Sequence, residues 1–300
     1  MFRLMDVMDW SDKVVLITGA SSGIGRGLAI ELARRGAKLG LLARGVAAPK
    51  AVAAAVGARR STDLPVATEP SPRLLEVAAE IEQVTNGSNE STAAESTAAR
   101  TVLLPADVRD ATAVKAAADR LREEFGKIDV LIANAGMGAT TDATELIPED
   151  VAKLLSVNVM GAVNSVAAVL PEMVERGSGQ LVAISSLSAY RGLRKSAAYC
   201  ASKASLSAFF ESVRIDLIGR GVDVTIIHPG FIKTPLTAGR QAEMPYLMEL
   251  DFAVGKIIGA IEKRKKSYAF PWQLATIVRA GMIMPNFMYD WIAVRNSFRE

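Results

Sequence analysis

The chain has one cysteine, Cys200, and one histidine, His228, in 300 residues. A lone thiol has no partner for a disulfide within the chain, and one thiol with one imidazole cannot assemble a structural zinc cluster. No metal site is expected. Neither charge sign dominates: 35 basic against 32 acidic residues leaves +3, spread along the chain instead of gathered into a basic domain, so nucleic acid is not an expected partner. A secretion signal is missing too, because the first ten residues hold Arg3, Asp6 and Asp9 and no apolar run. With a single thiol and no such signal, a reducing compartment, the cytoplasm, is expected. Residues 1–11 are read as a leader. The longest uncharged run, Leu154 to Pro171, just reaches the length of a membrane span. It carries Ser156, Asn158, Asn164 and Ser165 and ends at a proline, and such amides would be costly in a bilayer, so a buried helix of a soluble protein is expected.

What is present is enough apolar sequence, half of all residues, for a sizeable core. Apolar β-branched runs occur at Val14 to Thr18, Lys38 to Ala43, Thr101 to Leu104, Val130 to Asn134, Gln180 to Ser185 and Val222 to His228. Segments with helical periodicity separate them: Ile24 to Arg35, Arg73 to Val84, Ala113 to Phe125, Pro148 to Glu175 and Ala198 to Ile218. Continuously apolar strands alternating with helices predict a parallel sheet covered on both faces, a doubly wound α/β domain. That domain is expected over residues 12–262, with surface insertions at about 45–72 and 86–99 and a basic and apolar C-terminal helical extension over 263–300.

The first strand runs into Thr18-Gly-Ala-Ser-Ser-Gly-Ile-Gly25 and then a helix. Glycines at 19, 23 and 25 allow a tight turn, close approach of a phosphate and close helix packing, while the helix N-terminus offers unpaired N–H groups to an anion. Gly19, Ser21, Ser22, Gly23, Ile24 and Gly25 are therefore candidates for binding a nucleotide pyrophosphate, although G-x3-G-x-G differs from the G-x-G-x-x-G fingerprint. At the end of the second strand, where an NAD enzyme places an acid, stand Ala43 and Arg44. A guanidinium there can grip a 2′-phosphate through charge-assisted hydrogen bonds, so NADP(H) is expected over NAD(H), with Arg44 as the contact.

Tyr199 and Lys203, four residues apart, share one face of a helix. At about 4 Å and an effective dielectric near 20, a lysine charge favours a tyrosinate by roughly 4 kcal/mol, which suits such a phenol to proton transfer near neutral pH. The pair alone is suggestive only. Together with the glycine turn, Asp107-Val108, Asn134-Ala-Gly136, Asn158, Ser185-Ser186 and His228-Pro-Gly230, in this order over about residues 12 to 236, it resembles the short-chain dehydrogenase/reductase family of tyrosine-dependent oxidoreductases.

The resemblance implies a nicotinamide-dependent enzyme with a single Rossmann-like domain, acting on a small carbonyl or alcohol and assembled as a homodimer or homotetramer. By position it makes Tyr199 the general acid in reduction and the base in oxidation, and Ser186 the hydrogen-bond partner of the substrate oxygen. Lys203 would hold the nicotinamide ribose, and Asn158 a water leading from Lys203 to a proton relay. Asp107 and Val108 would meet adenine; Asn134, Ala135 and Gly136 would pass beneath the ribose; Pro229, Gly230, Ile232 and Thr234 would line the nicotinamide. Because proton transfer falls to Tyr199, His228 is expected as neither base nor ligand, and Cys200, about 100° around the helix from Tyr199, as a buried small residue.

The region from Pro235 to Phe252 corresponds to the variable substrate lid of the family it resembles, and its Leu236, Met244, Tyr246, Leu247, Met248, Leu250 and Phe252 suggest an apolar or lipid-like substrate. In the tail, Lys263-Arg-Lys-Lys266 precedes Tyr268-Ala-Phe-Pro-Trp272. Two readings stand: a strand near Ser267 to Phe270 with helices packed on the subunit, or a peripheral membrane contact through cations and aromatics. Two other functions fit the same motifs, reduction of a 3-oxoacyl thioester and a non-catalytic NADP(H)-binding scaffold or redox sensor.

Overall fold

The computed structural model describes residues 8–46, 69–86, 100–238 and 243–295. Residues 1–7 of the expected leader, and 47–68 and 87–99, which make up most of the two expected insertions, lie outside the described residues. In chain order the elements are β1 (Val14–Thr18), α1 (Gly23–Arg34), β2 (Lys38–Ala43), α2 (Pro72–Asn86), β3 (Thr101–Pro105), α3 (Ala111–Phe125), β4 (Val130–Ala133), α4 (Pro148–Leu155), a π-helical turn (Ser156–Met160) and α5 (Gly161–Arg176). Then follow β5 (Gly179–Ile184), α6 (Ala197–Asp216), β6 (Val222–Pro229), α7 (Leu250–Glu262), β7 (Ser267–Phe270), α8 (Trp272–Ile283) and α9 (Asn286–Arg295). Each expected strand and helix is present, with ends shifted by a residue or two where a cap sets the boundary. Asp110, for example, accepts the amides of Thr112 and Ala113 at 2.9 and 3.0 Å, so α3 starts two residues before the apolar period does.

All seven strands are parallel, in the order β3-β2-β1-β4-β5-β6-β7. β1 shows why the strands read as unbroken apolar runs: Val15 and Ile17 belong to one core cluster, Val14 and Leu16 to the other, and all are buried. On the first face α1 packs against α2 and α7; on the second α3 packs against α5 and α4 against α6. The strand order reverses between β1 and β4, which opens a crevice at the carboxyl ends of these strands.

Three expectations need correction. The leader is shorter than 1–11, because Trp10 is only 3% exposed within the first core cluster, Met8 packs against that cluster, and Trp10 Nε1 donates to Glu262 Oε1 at 2.9 Å. The extension begins later than residue 263, because β7 pairs with β6 in the sheet, and among the described residues only α8 and α9 lie beyond it. The uncharged run 154–171 is buried on one face instead of throughout: Leu154, Asn158, Ala162, Ser165, Val166 and Val169 turn inward while Met160 is half exposed. The helical stretch containing it, Pro148–Arg176, is by length and composition apolar enough to cross a membrane, but its inward stripe packs on α3 and β4.

The placement of Trp10 predicts that Trp10→Ala lowers unfolding stability by about 3 kcal/mol through the lost indole packing. Chemical denaturation measures this, and a loss under roughly 0.5 kcal/mol, the range of ordinary surface substitutions, would show that the N-terminal segment does not belong to the core.

Candidate active site

The crevice is closed at its base by a reciprocal set of bonds. Thr18 Oγ1 accepts the amides of Asn134 and Ala135 at 3.1 and 3.0 Å, and Asn134 Nδ2 donates to the carbonyls of Thr18 at 2.9 Å and Gly19 at 3.2 Å. The chain then turns through Gly19 at φ +68°, where an added Cβ would lie 2.8 Å from Ala135 Cα. At Gly25 a Cβ would lie 2.3 Å from the Gly19 carbonyl oxygen. Only glycine fits either position, so a tight cradle forms where α1 begins. Ser22, the N-cap of α1, makes no side-chain capping bond, and the first-turn amides, which helix geometry leaves without partners, face the cleft.

At the adenine end expected from the sequence, Arg44 stands exposed at the rim beyond β2, and Asp107 lies beyond β3. Asp107 is held by Arg109 through Oδ1 to Nε at 3.0 Å and Oδ2 to Nη2 at 2.7 Å, and it also accepts the Arg109 amide at 2.9 Å. These bonds, with a lesser contribution from the charge of Arg44, hold its carboxyl below the usual range. Val108 is buried against Gly161, where a Cβ would meet it at 2.5 Å. Arg109 lines the same rim and was not singled out from the sequence; a cation two residues past Asp107 was the available signal.

Tyr199 and Lys203 project from α6 as their spacing predicts. Lys203 is 5% exposed, its Nζ donates to the Ile184 carbonyl at 2.9 Å, and it lies 5.9 Å from the centre of the Tyr199 ring. Burial pushes its pKa down to about 8, so the group still holds its proton at neutral pH. Ser186, at the end of β5, is nearly buried and its Oγ accepts the Ser188 amide at 3.1 Å. That bond uses a lone pair and leaves the hydroxyl hydrogen to donate elsewhere.

Asn158 sits in the π-helical turn, where the widened backbone places its amide against the strand-end loop after β4. Its Oδ1 accepts the Met137 amide at 2.8 Å, and its Nδ2 donates to the Met137 carbonyl at 2.9 Å and to Ser202 Oγ at 3.0 Å. A Cβ on Gly136 would lie 3.4 Å from Asn158 Oδ1 and 3.6 Å from Lys203 Nζ, so both groups flank the same point of backbone.

One cavity of about 780 Å³ joins these parts. Of the residues expected at the site, Gly19, Ser21, Ser22, Gly23, Ile24, Arg44, Asp107, Val108, Asn134, Ala135, Gly136, Ser186, Tyr199, Lys203, Pro229, Gly230, Ile232 and Thr234 line it, whereas Gly25 and Asn158 stand just behind its wall. His228 does not reach it. The imidazole is buried against Tyr190, with ring centres 4.9 Å apart, and within 3.3 Å of Ser207 Oγ; burial, then the charge of Arg279, pushes its pKa down to about 4. Cys200 is buried.

The end of the cavity away from the glycine turn is not walled as the expected lid would have it. Of the apolar residues in 235–252, Leu236 lines the cavity, but Met248 is buried in the core and Tyr246, Leu247 and Phe252 face outward. The apolar wall comes instead from the tail, through Leu274, Ile277, Val278 and Met284 near α8 and Tyr289 and Ile292 on α9. The basic run at 263–266 lies before β7 and Trp272 after it, and Lys265 Nζ stands 4.3 Å from the centre of the Tyr268 ring.

Comparison with known proteins agrees with this architecture. The family model for short chain dehydrogenase matches residues 13–79 and 73–245. An uncharacterized oxidoreductase of Myxococcus xanthus is 40% identical over 290 residues, 96% of this chain and 98% of that protein. The 11-beta-hydroxysteroid dehydrogenase-like 2 of Arabidopsis thaliana is 34% identical over 235 residues, 77% of this chain and 63% of its own. Among solved structures, a short chain dehydrogenase from Mycobacterium paratuberculosis, bound to NAD, superposes with a TM-score of 0.68 at 23% identity, covering 87% of this chain and 97% of that one. The chain belongs to the short-chain dehydrogenase/reductase family, NAD(P)-dependent oxidoreductases that act on CH–OH and C=O groups.

Proposed function

We propose that this chain interconverts the carbonyl and alcohol forms of an apolar, lipid-like molecule with NADP(H) in preference to NAD(H), using Tyr199 as general acid and base. The observation that carries the reading is the convergence of Ser186, Tyr199 and Lys203 on a cavity whose far wall is apolar. When bound, the nicotinamide supplies or takes the hydride. The cradle of Gly19, Ser21, Ser22, Gly23, Ile24 and Gly25 fits the pyrophosphate, since a Cβ would fill it, and the amides of α1 suit its charge. Asp107 and Val108 would hold adenine, Asn134 to Gly136 and Lys203 the ribose, and Pro229, Gly230, Ile232 and Thr234 the nicotinamide.

In this reading Ser186 donates a hydrogen bond to the substrate oxygen while Tyr199 gives it a proton on reduction and removes one on oxidation. The protonated Lys203 stabilises the tyrosinate. Asn158 is a positioning residue: by holding both backbone groups of Met137 it fixes the loop beside Lys203, where it would also anchor the relay water. One domain, from Met8 through β7, would carry the cofactor and the chemistry, with surface insertions at about 45–72 and 86–99 and a tail that shapes the substrate end. The apolar wall favours a hydrophobic substrate, and the relative named for a hydroxysteroid is consistent with that class. The reading includes a cytoplasmic homodimer or homotetramer, for which the exposed Met160, Ile215 and Ile218 offer apolar surface. It also includes peripheral membrane contact through Ile283, Phe287 and Trp291, all more than half exposed.

Tyr199→Phe is expected to abolish NADPH-dependent turnover of long-chain ketones, at least 1,000-fold by the usual scale of general acid catalysis with loss of the proton donor, while NADPH binding persists. Turnover near the parent rate would eliminate Tyr199 as the acid. Arg44→Ala should weaken NADPH about 10- to 100-fold and leave NADH within about twofold; an equal loss for both cofactors defeats the phosphate contact. For the membrane contact, the intact chain should co-sediment with phosphatidylglycerol vesicles, and the double change Phe287→Ser with Trp291→Ser should release most of it. If the intact chain stays in the supernatant, the contact does not exist.

A further inference from the structure

The hairpin of α8 and α9 has little core to hold it. α8 buries Leu274, Ala275 and Gly281, and α9 buries no residue. Yet this hairpin walls one end of the cavity, and beyond the small cluster of Leu187, Leu274 and Ala275 its seating falls to polar contacts. The polar contacts at its bend converge on one side chain, Arg191, in the segment between Ser186 and α6. Arg191 Nη1 donates to the carbonyl of Gly281 and, at 2.9 Å, to that of Met284, while Nη2 donates to Asn286 Oδ1 at 2.9 Å. Gly281 lies in the last turn of α8, where its carbonyl takes only a long 3.4 Å bond from the Met284 amide, and Asn286 is the first residue of α9. One guanidinium therefore satisfies the end of one helix and the start of the next.

A second contact closes the arrangement. The guanidinium carbon lies 3.8 Å from the centre of the Tyr289 ring, and Tyr289 Oη donates back to the Gly192 carbonyl at 2.6 Å. Burial pushes the Tyr289 phenol up, with Arg191 opposing in part, so the hydroxyl remains a donor at neutral pH. Arg191 and Gly192 lie just beyond the short helical turn Leu187–Ala189 that Ser186 caps. The clasp thus ties the hairpin to the same segment that holds Ser186.

We propose that Arg191 and Tyr289 form a clasp that positions the α8–α9 hairpin as the outer wall of the substrate chamber, making Arg191 a positioning residue that sets how well long apolar substrates are held. The proposal rests on the carbonyl and apolar-substrate reading above. Ile277 and Ile292 line the same cavity from the hairpin, so in this proposal a long chain leans on the wall more than a short ketone does, and loosening the wall raises the KM of the long substrate and leaves the chemical step in place. Lysine cannot replace the arginine, because a single ammonium lacks the planar fork that spans Gly281, Met284 and Asn286 and lacks the flat face for Tyr289.

The test compares the parent with Arg191→Ala, Arg191→Lys and Tyr289→Phe, on 2-butanone and 2-dodecanone with NADPH, and follows amide hydrogen exchange across residues 282–292. For Arg191→Ala the expected result is a KM for 2-dodecanone raised about 10- to 100-fold, the scale of lost charge-assisted hydrogen bonds. Its kcat and its kcat/KM for 2-butanone should fall less than about threefold, NADPH affinity should hold, and exchange across the hairpin should quicken at least about tenfold. Arg191→Lys should follow Arg191→Ala, and Tyr289→Phe, which keeps the ring but loses one bond, should fall between it and the parent. Equal losses on both ketones, weakened NADPH binding, or unchanged exchange and selectivity would each overturn the clasp. If the parent reduces neither ketone, the carbonyl reading fails by itself, and the exchange rates still decide whether Arg191 seats the hairpin.

Discussion

The cleft depends on the bonds that Thr18 and Asn134 exchange across the ends of β1 and β4. These two strands part the helices of the two layers at the point where strand order reverses. Without a tie there, the glycine turn after β1 and the loop after β4 would be two independent loops. With it, Gly19 is held against Ala135, Gly136 lies beside Asn158 and Lys203, and Met137 is gripped by the Asn158 amide. A contiguous run of short contacts therefore links the pyrophosphate cradle to the buried lysine, and it passes through backbone groups at almost every step. That construction places the two ends of a dinucleotide site at a fixed separation with little freedom to drift.

The same construction explains the burial of Lys203. An ammonium removed from water is costly, and the depressed pKa near 8 records that cost. The Ile184 carbonyl offsets part of it, and the nearby Tyr199 ring another part. A lysine used only to bind charge would be better left at the surface. One kept in this position is held close to its cationic limit, so an anionic or strongly hydrogen-bonding neighbour gains more from it than from a solvated lysine.

Much of this was legible in the sequence, and the reasons are local. β1 is buried on both faces, so Val14 to Thr18 reads as a strand without any knowledge of its neighbours. The need for glycine at 19 and 25 was legible too, and a Cβ at either position has nowhere to go. Tyr199 and Lys203 share a helix, and their spacing alone brings them to one wall. What was not legible depends on contacts distant in the chain. Trp10 looked like part of a leader because its partner, Glu262, is 252 residues away. The tail was set apart as an extension from residue 263, although a strand near Ser267 to Phe270 was one of its two readings, because nothing in that stretch tells which strand it pairs with, and β6 is its partner. The apolar wall was assigned to the segment after Thr234 because that segment is rich in Met and Leu, yet Met248 is used in the core and the wall is supplied from α8 and α9.

The two ends of the cavity are consequently built on different physical principles. The cofactor end is a network of buried backbone and side-chain hydrogen bonds set into two large apolar layers, so its geometry is determined by the folding of the domain as a whole. The substrate end rests on a satellite cluster of Leu187, Leu274 and Ala275 and on polar contacts at the surface. Segments with few buried apolar contacts open at a small fraction of the global unfolding free energy. A wall of that kind can yield without disturbing Tyr199 or Lys203, which are carried by α6. It also leaves the outward side chains of α9 exposed, because a helix apolar on both flanks and held at one bend cannot bury both sides against a single domain.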